Sequence, residues 1–259
     1  MKKLPKIDIL SIMFMKRIAI TLAVLFSCFS LYAEIPAWLA VFRDAVYNQD
    51  VSIAAAEHMF QEADQRARES LNGFPLFTML SRCEYLLGKV YQDHGRNSEA
   101  IAHYEKGISF AENSLKVQIN AEAYEMVASH IGQLCMIKSR PWVIANGLKV
   151  EENAKKARQL DPRNAGALYL LASRWAFGPG PFGDPKRGIA ELETILNGDA
   201  VLQKDDFFNV YSALAYACMR LSRNQEALSW ALKSLALYPK NKFALDLQSQ
   251  IEQKLRAVK

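Results

Sequence analysis

Two stretches of this chain repeat one pattern of small and aromatic residues, and that repetition constrains the fold more than any other feature. The first, "LSRCEYLLGKVYQDHGRNSEAIAHYEKGISFAEN" from Leu80, carries Leu87-Gly88, Tyr91, Gly95, Ala100, Tyr104 and Gly107. The second, "VYSALAYACMRLSRNQEALSWALKSLALYPKN" from Val210, carries Tyr211, Leu214-Ala215, Cys218, Ala227, Ala231 and Pro239 in the same frame. Such spacing describes two helices, A and B, folded against one another. A small residue at Gly88 or Ala215 lets helix A approach helix B, Ala100 or Ala227 fills the crossing, and Tyr91 and Tyr104 cover it on either side. Pro239 stops helix B where the next hairpin must begin. One such hairpin cannot bury its apolar face alone, so the pattern predicts a stack.

Two further copies are stretched. "NAGALYLLASRWAFGPGPFGDPKRGIAELETIL" carries Leu168, Leu171-Ala172 and Trp175, then Gly183-Asp184 and Gly188 later than the frame requires. In "AYEMVASHIGQLCMIKSRPWVIANGLKVEENAKKARQLDP", Ile131-Gly132 and Cys135 mark helix A, and Ala154, Ala157 and Pro162 mark the end of helix B. Between them lies an extra piece around "KSRPWVIANG". Residues 36–71 read as another helical hairpin, broken near Asn48-Gln49-Asp50, and "NKFALDLQSQIEQKLRAVK" as a polar-backed closing helix. No useful length of strand-like alternation appears.

These stretches resemble the tetratricopeptide repeat (TPR) family over about residues 80–258. The clearest copies are residues 80–113 and 208–241, with degenerate ones at about 124–162 and 164–197 and a capping helix at about 242–258. The resemblance implies an all-α, right-handed solenoid of helix-turn-helix hairpins with two enlarged intra-repeat loops, and no cofactor. It also implies which helix A residues point into a concave groove: Arg82, Tyr85, Lys89, Gln92, Tyr169, Ser173, Asn209, Ser212 and Tyr216. Aromatics beside hydrogen-bonding groups suit a peptide or a small polar ligand; an ordinary solvated face would hold the same residues. In the two enlarged loops, Arg140, Trp142, Arg174, Trp175 and Phe182 are candidate contacts, because insertions emerge on one face of a repeat array. The competing reading has Trp142, Trp175 and Phe182 covering gaps between hairpins.

One of those loops imitates a nucleotide site. Gly178, Gly180 and Gly183 have the G-x-G-x-x-G spacing, yet a helix rather than a strand precedes them, and Pro179, Pro181 and Pro185 remove N–H groups a pyrophosphate would need. Asp184 stands where a phosphate-binding loop has lysine. The stretch reads as a turn between helices.

The N-terminal end gives an expectation about location. Lys16-Arg17 precede "IAITLAVLFSCFSLYA", Ile18 to Ala33, an uncharged apolar run of the secretory kind and short for a membrane span. Residues 1–33 therefore read as a signal sequence, with Met15 as an alternative start. Cleavage after Ala33, lipidation at Cys28 within "LFSC" and retention as an uncleaved anchor are all open. The expected location is the periplasm or envelope. This segment also carries most of the net charge: of 32 basic and 27 acidic residues, residues after 33 hold 27 and 26. A body so nearly neutral makes no electrostatic case for nucleic acid or an anionic membrane surface. Cys83, Cys135 and Cys218 lack zinc or disulfide spacing, and His58, His94, His103 and His130 lack an H-E-x-x-H arrangement.

No nucleophile, base and orienting group recur at a recognisable spacing, so the chain reads as a non-enzyme. The favoured function is an exported scaffold that binds a partner protein or peptide in its groove. The alternative rests on architecture: an exported, degenerate, loop-bearing repeat protein looks like the T-component of tripartite (TRAP) transporters, which implies handling of a small hydrophobic ligand.

Overall fold

The computed structural model describes residues 35–257, and every regular element among them is a helix. Helices α1 (Ala37–Asn48) and α2 (Ile53–Ser70) come first, followed by α3 (Gly73–Asp93) with α4 (Asn97–Val117). Next are α5 (Ala121–Ile137), the short α6 (Arg140–Asn146) and α7 (Leu148–Leu160), then α8 (Ala165–Phe177) with α9 (Pro185–Asn197). Helices α10 (Lys204–Arg220), α11 (Asn224–Leu237) and α12 (Lys242–Ala257) close the series. The segment read as a signal sequence, residues 1–33, and Cys28 within it lie outside the described residues. Among the described residues, no helix is long and apolar enough to cross a membrane.

Local sequence fixes the helix starts. Asn120 and Asn164 each accept a hydrogen bond from the backbone N–H three residues on, at 2.8 Å, and Asp184 does the same for Arg187 N–H at 3.1 Å. These side chains satisfy donors that the first helical turn leaves open. At α10, Gln203 and Asp206 form a reciprocal capping box. The two clearest hairpins also turn alike. Arg96 N–H reaches back to Tyr91 C=O at 2.8 Å, with Gly95 at φ 73°; Arg223 N–H reaches Cys218 C=O at 2.9 Å, with Ser222 at φ 58°. Both are the six-to-one closure in which the left-handed residue ends a helix.

Hairpins α3/α4, α5/α7, α8/α9 and α10/α11 pack internally and on their neighbours, with α6 inserted in the second. Helices α3, α5, α8, α10 and α12 lie side by side as one layer, and α4, α7, α9 and α11 pack against it. Close approach is set by small residues. Tyr104 lies on Gly88: a Cβ there would be 2.6 Å from the Tyr104 ring. A Cβ on Gly188 would meet the Ala176 backbone nitrogen at 2.7 Å, so α8 and α9 touch backbone to backbone. Ala100, Ala215, Ala227 and Ala231 are fully buried.

Helix α1 behaves differently from the rest. It touches α2, α3 and α10, the last two being the first and fourth helices of the side-by-side layer. One short helix can reach both only if the layer curls and α1 lies on its hollow side.

Candidate functional site

The hollow side is built by inward residues of α3, α5, α8 and α10, which recur about every turn or two of helix. On α3, Arg82 lies 3.7 Å from Glu125 of α5. The Tyr85 ring packs 5.5 Å from His130, and its hydroxyl accepts from Gln133 at 3.1 Å. The Lys89 ammonium sits 5.3 Å from the Tyr47 ring centre. Gln92 accepts a hydrogen bond from the Tyr104 hydroxyl at 2.7 Å, which ties it to α4. On α8, Tyr169 packs on the main core, and Ser173 donates to Leu170 C=O at 3.3 Å. On α10, Asn209 donates to the Tyr47 hydroxyl at 3.3 Å, while Ser212 is 3% exposed. Tyr216, at the other end of that helix, lies 4.9 Å from Phe177.

The structure therefore brings Lys89 and Asn209 together through Tyr47 of α1. That helix presents Leu39, Phe42, Arg43, Val46 and Tyr47 inward, all buried, at the three-and-four spacing of one helix face. Its polar links run to the far end of the chain. Asp44 accepts from Lys204 and from the Tyr238 hydroxyl, both at 2.9 Å, and Arg43 pairs with Asp205 at 3.1 Å. Tyr47 C=O accepts from Asn241 at 2.7 Å, Asn48 from Lys240 N–H at 3.0 Å, and Asp50 pairs with the Lys240 ammonium. Tyr47 also stacks on Tyr238 at 5.4 Å. None of these partners was legible in sequence, because the contacts span 160 to 194 residues.

The other end of α10 carries a partly exposed aromatic group. Phe177, Tyr216 and Phe243 form a cluster, with Phe177 to Phe243 at 6.3 Å, and Phe177 and Phe243 are 36% and 44% exposed. Two turns of helix, about 10 Å, separate Asn209 under α1 from Tyr216 in this open patch.

Charge on the hollow side is mixed and strongly perturbed. Burial works against the Asp44 carboxylate, but hydrogen bonds from Lys204 and Tyr238 and the Arg43 charge outweigh it and hold Asp44 below its ordinary range. Burial pushes Glu125 up against the pull of Arg82. Burial, then the adjacent Asp205 charge, raises Asp206 to about 7. A carboxyl with a raised folded pKa binds more protons folded than unfolded, so its contribution to stability falls as pH rises from about 4 to about 7. Asp206→Asn, which can still accept the Gln203 N–H bond, should raise stability by about 1–2 kcal/mol at pH 8 and by less at pH 5. Thermal melts at the two pH values check this.

The enlarged-loop residues separate. Arg140 is exposed on α6, the helix into which "RPWVIAN" folds, and Trp142 packs on the cluster of Ala111, Met126, Val127 and Ile131. The Trp175 ring lies between the guanidinium groups of Arg174 and Arg187, each 4.0 Å from its centre, and Arg174 also pairs with Glu151. Phe182 is 77% exposed. The Gly178–Asp184 turn is closed by Gly183 N–H to Pro179 C=O at 2.8 Å and Asp184 N–H to Trp175 C=O at 3.1 Å, and Arg220 clamps the Ala176 and Gly178 carbonyls. None of its glycines has positive φ. What they need is space: a Cβ on Gly183 would be 2.0 Å from the Gly178 oxygen, whereas one on Gly180 meets nothing within 4 Å. Gly183→Ala should lower the melting temperature and Gly180→Ala leave it unchanged, a pair that scanning calorimetry resolves.

Among the described residues, no group of three or more His, Cys, Asp or Glu side chains is placed to hold a metal ion. Cys83, Cys135 and Cys218 are free thiols, and burial raises the pKa of each.

A family model described as Tetratricopeptide repeat matches residues 85–114. Among solved structures, the chain is similar to a thermophilic TPR protein in Thermus thermophilus, at 18% identity over 78% of this chain and 90% of that one, with a TM-score of 0.49. No curated protein matches the chain.

Proposed function

We propose that this chain, a tetratricopeptide-repeat protein, is a non-catalytic scaffold that binds a partner protein or peptide outside the cytoplasm through the open end of its hollow face. The observation that carries this reading is the Phe177–Tyr216–Phe243 cluster. Aromatic side chains exposed together on a concave surface supply a large apolar contact with little entropy to lose, as binding hot spots do. The neutral body steers neither nucleic acid nor anionic lipid to it.

The test compares capture by the full chain with capture by Tyr216→Ala/Phe243→Ala from an envelope extract, with bound proteins identified by mass spectrometry. A partner enriched by the wild type and lost with the variant supports the reading; partners that bind both equally sink it. Export has its own check. N-terminal sequencing of the envelope form should begin at Glu34 or at a lipidated Cys28, and a full-length cytoplasmic protein contradicts it.

The same aromatics favour the second reading, an accessory of the T-component kind that handles a small hydrophobic ligand. Metabolic palmitate labelling of Cys28, together with a small apolar molecule released on denaturing the purified protein, would select that reading over the first.

A further inference from the structure

The N-terminal helix occupies the hollow face as a ligand would. Its anchors Leu39, Phe42 and Val46 are 2%, 1% and 1% exposed, and they fall at the spacing by which an amphipathic helix seats in a groove. Around them the receptor supplies directed polar groups: Lys204 and the Tyr238 hydroxyl for the acidic Asp44, Asn209 for the Tyr47 hydroxyl, and Asn241 for a backbone carbonyl. The connection to α2 is short, with Gln49 at φ 53°, a left-handed conformation that a non-glycine side chain disfavours.

We propose that this end of the hollow face is a receptor for amphipathic helices, that α1 is its built-in occupant, and that a partner helix of the same chemistry replaces α1. The chemistry is specific: counted from the first anchor, Leu39, large apolar residues at positions one, four and eight, an acidic residue at six and a tyrosine at nine, as Leu39, Phe42, Val46, Asp44 and Tyr47 present them. A cation in place of Asp44 would face Lys204. The partner of this inference is thus a helix-bearing protein, and the occupied receptor keeps it out until α1 leaves. The inference rests on the reading that the hollow face binds partners, and extends it from the open aromatic end to the covered end.

The probe is a fluorescein-labelled synthetic peptide of residues 36–50, titrated into full-length protein and read by anisotropy. Tethered α1 competes at an effective concentration of order millimolar, so the wild type should bind the peptide at least tenfold more weakly than Phe42→Ala/Asp44→Ala/Val46→Ala, in which α1 is loosened and the receptor intact. Adding Lys204→Ala and Asn241→Ala to that variant should abolish binding. Equal binding to wild type and loosened variant, or binding to neither while the variant keeps its helical signal and cooperative melt, overturns the proposal.

Should the loosened variant not fold, hydrogen exchange on the wild type decides. Amides of α1 should exchange at least tenfold faster than those of α10 and α11 through a local opening, and α1 amides that exchange only with the whole molecule overturn the proposal. Failure of the peptide test with a Tyr216-dependent partner in hand would remove this inference alone. Peptide binding without any captured partner would instead remove the broader reading.

Discussion

Gly107→Ala is expected to destabilise the protein by about 1–3 kcal/mol, although alanine is the better helix former by about 1 kcal/mol. Gly107 sits inside α4, where a Cβ would lie 2.1 Å from the Cε1 atom of His130. That ring cannot swing aside. It is fully buried, the Tyr85 and Tyr104 rings stand 5.5 and 5.8 Å away, and its Nε2 lies 3.0 Å from the Ser81 hydroxyl. Because Ser81 donates to Gly107 C=O at 2.8 Å, its oxygen is left to accept from Nε2–H, which fixes the tautomer. Burial drives the His130 pKa down to about 3, so the ring stays neutral at ordinary pH.

Removing the ring should reverse the sign. His130→Ala alone should cost about 2–4 kcal/mol as a buried large-to-small change. Adding Gly107→Ala to it should then stabilise, since the slot is empty and only helix propensity remains. Urea titrations of the four proteins give the coupling directly, provided the slope of each transition is unchanged. A stabilising Gly107→Ala single variant contradicts the packing.

The second large effect is at Ala227. This residue is fully buried with Ala215, Cys218 and Leu214 in one core cluster, so Ala227→Leu has no cavity to fill and should cost about 1–3 kcal/mol. The equivalent wall in the earlier hairpin is Ala100, also fully buried. An unchanged midpoint in thermal denaturation would mean that α11 does not cross α10 at that alanine.

Both sites show what sequence could and could not reveal. Helical hairpins were legible because small residues recur at the crossings in a fixed frame, and that frame follows from helix geometry alone. What sits on each small residue was legible only within a hairpin. Tyr104 on Gly88 lies within one hairpin, but His130 on Gly107 comes from the next, and no local rule pairs them. The inserted "RPWVIAN" follows Ser139 and carries Pro141 in its first turn, a signal in plain view for the short helix it forms. The Gly178–Asp184 turn was legible as a turn, though its glycines answer to contact rather than to positive φ.

The inward residues were harder to read. Lys89 and Asn209 share the hollow face, but nothing near them in sequence indicates that Tyr47 joins them. Residues 36–71 have helix periodicity throughout, and periodicity does not say where an amphipathic helix docks. Phe177 and Phe243 were missed because each ends or begins a helix, where repeat spacing gives no inward position. Their exposure in the folded chain is the signal, and it exists only in three dimensions.

The placement of α1 across the hollow face is the point on which the functional reading turns, because it divides a covered end from an open one. Zero-length carbodiimide coupling of the unmodified protein tests it, since this reagent joins a carboxylate to an amine only where the two already touch. Lys204 and Asp44 lie 2.9 Å apart with each side chain 37% exposed, and Lys240 pairs with Asp50. Mass spectrometry of the monomeric band should find peptides joined through Asp44–Lys204 and Asp50–Lys240. Recovery of both carboxylates without these links, or of the links only in a dimeric band, would contradict a helix folded back onto its own last hairpin.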